Sequence, residues 1–537
     1  MNTLSHPGGH HIPENDVEKR GELIHNVTTF GSDNPGNTSK DVFNCSDQHD
    51  IPPAPVLLKG RLARWNTKVE GLAGLEARGI TRVLPEEKHS GGFIGYLQMF
   101  ALWFGMNLVT TNLIPGFLGP LVFNLGWVDC VCIVIFANAL SSCGASYTAT
   151  FGPQSGNRTM ILGRYFMGYW PSKITCLLNI INQLGWGIIG CIIAGQMLSA
   201  VNGAGLSIAV GCIISALCMG LIAIFGIAIL HTYERYAWIP QILALFVLIG
   251  SAGHNFNTSL PSVGPAGTIT ANRCSFFALQ FSIVIGFSAV GADFYVYYPT
   301  NTSRRLTFLM TWLGLWMSLI FANLLGVGIA SGVATTPTWS DAYNTSSGAL
   351  LLACYDGLGG FGGFCVVILA LGSIANNAPG TYAAALSFQV LGRYGKAIPR
   401  WIWCLVVMII ELVCSVAGRN HLLNIFENFL PLMSYWVCPW VTIVLEEHLL
   451  FHVLRGLPFD WTAWEDKKRL PIGAAALLSW LIGWTGAIVG MDQVWYQGPV
   501  ALKIGGYGGD IGAWMSIAFA CVVYPPLRYL ELKNFGR

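Results

Sequence analysis

The sequence predicts an all-α integral membrane protein with twelve transmembrane helices, and three observations carry that reading. Hydrophobic residues make up 53% of the 537-residue chain and charged residues only 10%, against about 25% in a soluble globular protein. The charge is uneven: 22 of the 56 charged side chains fall in residues 1–90, and the remaining 447 residues carry one in about thirteen. From residue 91 onward, apolar stretches alternate with short polar breaks, each stretch long enough to cross a hydrocarbon core of about 30 Å as a helix. This composition excludes a soluble enzyme, a nucleic-acid binder (net charge +2, no basic patch) and a secreted disulfide scaffold. The lipid bilayer is the expected partner.

Residues 1–90 form a cytosolic tail. Its first sixty residues, rich in Gly, Pro, Asn, Asp and His, show no sustained period and read as disordered. Residues 61–84, with Leu62, Trp65, Val69, Leu72, Leu75 and Leu84, suit a short amphipathic helix at the membrane surface. The polar N-terminus lacks the pattern of a cleavable signal peptide, so the first span serves as the insertion signal. The transporter domain, 91–530, then carries span 1 near 93–118, span 2 near 121–148, span 3 near 173–201, span 4 near 205–230, span 5 near 236–252 and span 6 near 275–298. Span 7 lies near 306–333, span 8 near 360–391, span 9 near 400–418, span 10 near 424–453, span 11 near 471–490 and span 12 near 510–528. A short cytosolic tail, 531–537, ends the chain.

Counting Lys and Arg orients these spans. With both termini cytosolic, inner segments hold 26 basic residues and outer loops only three: Arg273, Arg419 and Lys503. That asymmetry follows the positive-inside rule, and one span missed or invented would scramble it. The sequons at Asn257 and Asn344 fall outside, where glycosylation and an ordinary polar loop are both open readings.

Several motifs mislead. Gly357-Leu-Gly-Gly-Phe-Gly362 matches a dinucleotide fingerprint but has no βαβ unit around it; glycines that let helices approach closely are the better reading. Glu447, His448 and His452 read as a polar cuff at the cytosolic end of span 10 rather than a metal site. The cysteines, mostly within apolar runs and with no C-x-x-C pair, read as small buried hydrophobes.

The informative residues are the polar ones left inside the membrane, where each is costly and needs a reason. Span 1 places Gly105, Asn107, Thr110, Thr111, Asn112 and Pro115 mid-span, as a helix unwound to face a cavity would. Span 3 buries Trp186 away from the interfacial belt, where its face can stack on a planar ligand. Span 6 surrounds Phe287 with Gly286, Ser288, Ala289, Gly291 and Ala292, a second break in the position that pairs spans 1 and 6 when a five-helix repeat is inverted. Asp293, near its cytosolic end, reads as a gate or a loop anchor. Span 8 carries Asn376, Asn377 and Pro379. Adjacent helix positions diverge by about 100°, so one amide reads a ligand while the other braces the kink. Rings above and below with an amide at the edge suit a small planar polar solute. Glu411, Glu427 and Asp129 are carboxylates in the membrane region, none of them obviously beside this pocket.

These segments resemble the fungal purine–cytosine permeases of the nucleobase–cation symporter 1 family. The resemblance runs from about residue 60 to the end, through Trp103-Phe104, Gly168-Tyr-Trp-Pro-Ser-Lys173, Gly185-Trp186, Ala292-Asp293, Ala375-Asn-Asn-x-Pro379, Tyr435-Trp436, Glu447-His448, Gly490-Met491, Gly498-Pro499 and Gly508-Gly-Asp-Ile-Gly512. It implies a LeuT-like five-helix inverted repeat with broken spans 1 and 6, plus two additional C-terminal helices, in a multi-pass protein of the plasma membrane. It also implies Trp186, Asn376 and Asn377 around the substrate, with Pro379 and Glu234 in gating or coupling; the residues' own pattern adds Phe287, Asn107, Gly105 and Gly190 to the first group and Asp293 and Thr110 to the second. Two departures stand out: Gly190 replaces a usual Asn, and Phe287 replaces a usual Trp. Gly380 likewise stands where Asn is common.

The expected function is therefore import of a nucleobase, cytosine or a purine such as adenine, guanine or hypoxanthine, by alternating access. A proton rather than sodium is the expected coupling ion, and no cofactor is called for. The departures leave another planar heterocycle, such as pyridoxine, as the alternative. A non-transporting nutrient sensor on the same fold is the rival class, and an integral-membrane enzyme is disfavoured because no catalytic constellation appears.

Overall fold

A computed structural model describes residues 79–88, 92–203, 205–225 and 227–537, without the side chains of 227–237. The amphipathic helix expected over 61–84 lies almost wholly outside the described residues. Its last residues run extended, and the chain then makes a 3₁₀ turn at Pro85–Glu87. The Val83 N–H donates to the Gly156 carbonyl at 2.9 Å, and Arg82 Nε donates to the Ser155 carbonyl at 2.7 Å. Gly156 holds φ +65°, and a side chain there would strike Val83.

Every predicted span carries a helix. Eight described helices are long and apolar enough to cross a membrane, and span 1 adds a bent pair, Phe93–Asn107 and Thr110–Leu121, meeting at 58°. Span 11 is a shorter apolar helix, Ala474–Gly490. Large apolar side chains on the outside, among them Phe136, Leu221, Phe246, Leu371, Ile409, Val413 and Val522, stay exposed, as a protein solvated by lipid requires.

Several boundaries differ from the sequence reading, among them span 6, whose helix begins at Ala266 rather than 275. Span 2 begins at Trp127 rather than 121, because the apolar run hides a turn with Asn124 at φ +50°. Span 5 begins near residue 227 and so contains Glu234 and Arg235. Charge marks the membrane boundary, whereas backbone hydrogen bonds carry the helix past it. Span 12 runs Gly512–Phe535, taking most of the expected C-terminal tail into the helix.

The two breaks have local causes. In span 1, Asn107 Nδ2 donates to the Trp103 carbonyl at 3.0 Å, and Asn112 Nδ2 donates to the Asn107 carbonyl and Oδ1 at 2.9 and 3.1 Å. These side chains satisfy groups freed where Leu108 and Val109 leave helical geometry. In span 6 the α-helix Ala266–Ile285 gives way to 3₁₀ turns Gly286–Ala289 and Gly291–Tyr295. Gly144 and Gly291 let this unwound chain lie against span 2: a Cβ on Gly291 would sit 2.7 Å from the Ala145 carbonyl oxygen.

Glu447 binds Arg528 at 2.7 Å and accepts from the Tyr524 hydroxyl at 2.6 Å, tying span 12 to span 10. The glycines at 357 and 359 are not close-packing residues as expected. They hold φ +83° and +52° with open space around them, so they turn the chain into span 8, whose helix is Gly359–Val390.

Candidate binding site

Span 3, Ser172–Val201, presents a stripe of Asn179, Asn182, Gln183, Trp186, Gly187 and Gly190. Steps of three and four residues put all six on one face. Three contacts show what the stripe meets. A Cβ on Gly286, in the span 6 break, would lie 3.4 Å from Asn182 Nδ2. A Cβ on Gly380, in span 8, would lie 3.3 Å from Gln183 Oε1. The Asn377 amide fills the space over Gly190. The second half of span 1, Thr110–Leu121, packs on spans 3 and 8, so the span 6 break and the amides of span 8 meet this stripe with span 1 beside them.

The two expected rings have separate supports. Trp186 stands edge-on to Phe426 and Phe429 of span 10, with centroids 6.4 Å away in each case. Phe287 stands edge-on to Trp103 of span 1 at 5.5 Å. Among the described aromatic pairs Trp186 and Phe287 do not touch each other.

The span 8 amides diverge as helical geometry demands. Asn377 is buried and its Nδ2 donates to the Ser373 carbonyl at 2.7 Å. Asn376 is half-buried, and its amide makes no hydrogen bond to the described residues. Pro379 deprives the Ala375 carbonyl of its helical donor, while the helix continues through it.

Polar atoms without partners occur across the described residues, and some lie on these four spans. Thr110 Oγ1, Thr111 Oγ1, Asn182 Oδ1, Ser288 Oγ and Ser373 Oγ are buried without a hydrogen bond. Asn182, on the span 3 face, is the one of these whose side chain also meets the span 6 break, at Gly286. Asn182 and Ser373 were not singled out in the sequence, and Ser288 was read there only as a small residue at the span 6 break. The available signal was periodic: Asn182 lies one turn before Trp186.

Other expected residues have structural partners. Gly105 faces Trp238 of span 5, 3.2 Å from a built Cβ, and so permits close helix packing. The Asn107 amide braces the span 1 break. Asp293 Oδ1 accepts from the Thr159 N–H at 2.6 Å and from Thr159 Oγ1 at 2.8 Å. It thereby caps the short helix Thr159–Met167. Glu234 lies on the span 5 helix, its side chain outside the described residues. Among the described residues no group of three His, Cys, Asp or Glu is placed to hold a metal ion.

One carboxylate is nearer than the sequence suggested. Glu411 of span 9 is fully buried and lies over Gly187, the neighbour of Trp186. The sequence shows only that Glu411 lies within span 9; the crossing of spans 3 and 9 is what brings it here. Asp129, by contrast, lies at the far end of span 2, paired with Arg273 at 2.8 Å.

A family profile described as permease for cytosine/purines, uracil, thiamine and allantoin matches residues 84–453. The chain is 33% identical over 525 residues to a vitamin B6 transporter of Saccharomyces cerevisiae, covering 88% of this chain and 90% of that protein. It is 35% identical over 476 residues to a purine-cytosine permease of Emericella nidulans, covering 88% and 92%. Its fold is similar to that of Mhp1, a nucleobase-cation-symport-1 family transporter solved with bromovinylhydantoin bound: TM-score 0.63, 13% identity, 86% of this chain and 97% of that one.

Proposed function

The chain belongs to the nucleobase–cation symporter 1 family of cytosine and purine permeases, and from that premise we propose that it imports a neutral nucleobase by proton symport with alternating access. The observation carrying this reading is the span 3 face of Asn182, Gln183, Trp186 and Gly190, which meets Gly286 of the span 6 break and Gly380 and Asn377 of span 8. Hydroxyls and amides on these spans suit the edge of a neutral heterocycle. The half-buried Asn376 is the edge reader in this scheme, and Asn377 is the brace. The fungal relatives support a plasma-membrane location, with both termini cytosolic by the basic-residue count.

A second reading, a hydroxylated pyridine such as pyridoxine, has its own observation. The place of the amide expected at position 190 is filled by Asn377, and Thr110, Thr111 and Ser373 of spans 1 and 8 carry buried hydroxyls without a hydrogen bond among the described residues. Such hydroxyls suit a solute that itself carries hydroxyl groups, and the similarity to a vitamin B6 transporter agrees with it.

The test is competition uptake in permease-null cells with labelled cytosine, adenine and pyridoxine. Saturable uptake of a base, displaced by other bases, supports the first reading. Preference for pyridoxine supports the second. Absence of uptake of every heterocycle by surface-localised protein overturns both and leaves the sensor.

A further inference from the structure

We propose that Glu411 of span 9 is the proton-carrying residue that couples to the binding site, acting through Thr381 and the backbone of Asn377. This rests on the proton-symport reading above. Glu411 is fully buried, in the helix Arg400–Gly418. Among the described residues it has no salt bridge, and its hydrogen-bond partner is the Thr381 hydroxyl, 3.0 and 3.1 Å from its two carboxyl oxygens. An ionised carboxylate in a membrane protein's interior is costly without a cation. One hydroxyl and no cation is a site that suits the protonated acid.

The surroundings add no other ionic group. Span 9 packs on spans 3, 4 and 8. Span 4 and the span 8 helix carry no Asp, Glu, Lys or Arg. Span 3 carries only Lys173, at its opposite end from Gly187 and Gly190. The titratable groups near Glu411 on these elements are Cys191 of span 3, which faces it, Cys212 of span 4 behind Cys191, and Tyr382 of span 8, next to Thr381. On span 9 itself, Arg400 and Arg419 stand at or beyond the helix ends, with Cys404 and Cys414 between them. Arg400 donates to the Ala223 and Ile224 carbonyls, and Arg419 donates to the Val416 carbonyl.

Thr381 is what makes this carboxyl more than a buried acid. Its oxygen lies 3.4 Å from the Asn377 carbonyl, one turn earlier, as well as beside Glu411. A hydroxyl has one proton to donate, so it serves one acceptor at a time. With Glu411 protonated, the carboxyl O–H donates to Thr381, and the Thr381 proton turns to the Asn377 carbonyl. With Glu411 ionised, Thr381 donates to the carboxylate and releases that carbonyl. A Thr bond back to the preceding turn bends a helix, and here it does so two residues from Pro379 and beside both span 8 amides. One proton bound or lost at Glu411 therefore changes the span 8 helix where substrate is read.

The experiment compares wild type with Glu411→Gln and Glu411→Asp in sealed vesicles, reading surface-normalised uptake across external pH and the accumulation ratio under an imposed pH gradient. One proton per substrate supports about tenfold accumulation per pH unit. The expected result is gradient-driven accumulation by wild type and by Glu411→Asp. Glu411→Gln is expected to show an accumulation ratio near one and flat pH dependence, with exchange of labelled for unlabelled substrate still measurable. Wild-type accumulation driven by protons and retained in Glu411→Gln overturns the assignment alone, and loss in Glu234→Gln instead moves it to span 5. Wild-type uptake indifferent to the proton gradient overturns the proton-symport reading together with the assignment. Thr381→Val guards against misfolding of the glutamine variant: it keeps the carboxyl and is expected to shift the pH profile, and an unchanged profile overturns the relay.

Discussion

The amide of Asn377 occupies the space that a side chain at Gly190 would need. Spans 3 and 8 cross there, and Nδ2 of Asn377 donates to the Ser373 carbonyl from that position. Gly190→Ala is expected to push the amide off this bond. A neutral hydrogen bond contributes about 1 kcal/mol, so the melting temperature in detergent should fall by about 2 °C. Thermal unfolding measures this, and an unchanged melting temperature would show that Asn377 is not held by this contact.

The two span 8 amides should separate by phenotype. Asn376→Ala removes a side chain with no described protein partner, so its cost should fall on substrate: a KM raised about tenfold or more, with the melting temperature in detergent unchanged. Asn377→Ala removes a buried, bonded brace and should lower the melting temperature by several degrees. The reverse pattern would exchange the two roles.

Asp293 caps the helix Thr159–Met167 from another segment of the chain, with bonds to the Thr159 N–H and hydroxyl. Asp293→Ala should cost about 1–2 kcal/mol and speed trypsin cleavage at Arg158 and Arg164. Native-like protease resistance would argue that the cap is dispensable.

Outside the membrane helices, Asp510 gives a pH prediction. Burial pushes its carboxyl up to about 6, while bonds from the Tyr435 hydroxyl, the Gly512 N–H and the Gln493 amide pull the other way. Between about pH 4 and 6 the folded protein keeps a proton that the unfolded chain has lost. Stability therefore falls as pH rises through that window. The thermal midpoint of wild type should decline from pH 4 to pH 6, and Asp510→Asn should flatten the decline. Parallel curves for the two proteins would refute this.

Much of the fold was legible because membrane helices are written in one dimension. A hydrocarbon core of fixed thickness demands an apolar stretch of fixed length, so span 9 could be read to its ends at Arg400 and Gly418. Boundaries failed where an apolar run continued through a turn, as at Asn124, or where a helix continued past a charge, as at Glu234. The candidate site was legible as residue types, since Asn376, Asn377 and Phe287 with its glycines have few other reasons to lie mid-membrane.

Partnership was not legible. Sequence distinguishes Asn376 from Asn377 only by a rotation of about 100°; the packing of span 3 decides that Asn377 is the one held. Glu411 and Gly187 lie more than two hundred residues apart in the sequence, and nothing local links them. The sequence by itself determined the membrane and the spans and offered the candidate site's residue types, because hydropathy and charge are properties of single residues and short windows. Only the tertiary structure decided which amide is braced, which polar atoms lack partners and which carboxyl approaches the site. Those are pairwise distances between helices, set by glycine-sized gaps where two spans cross.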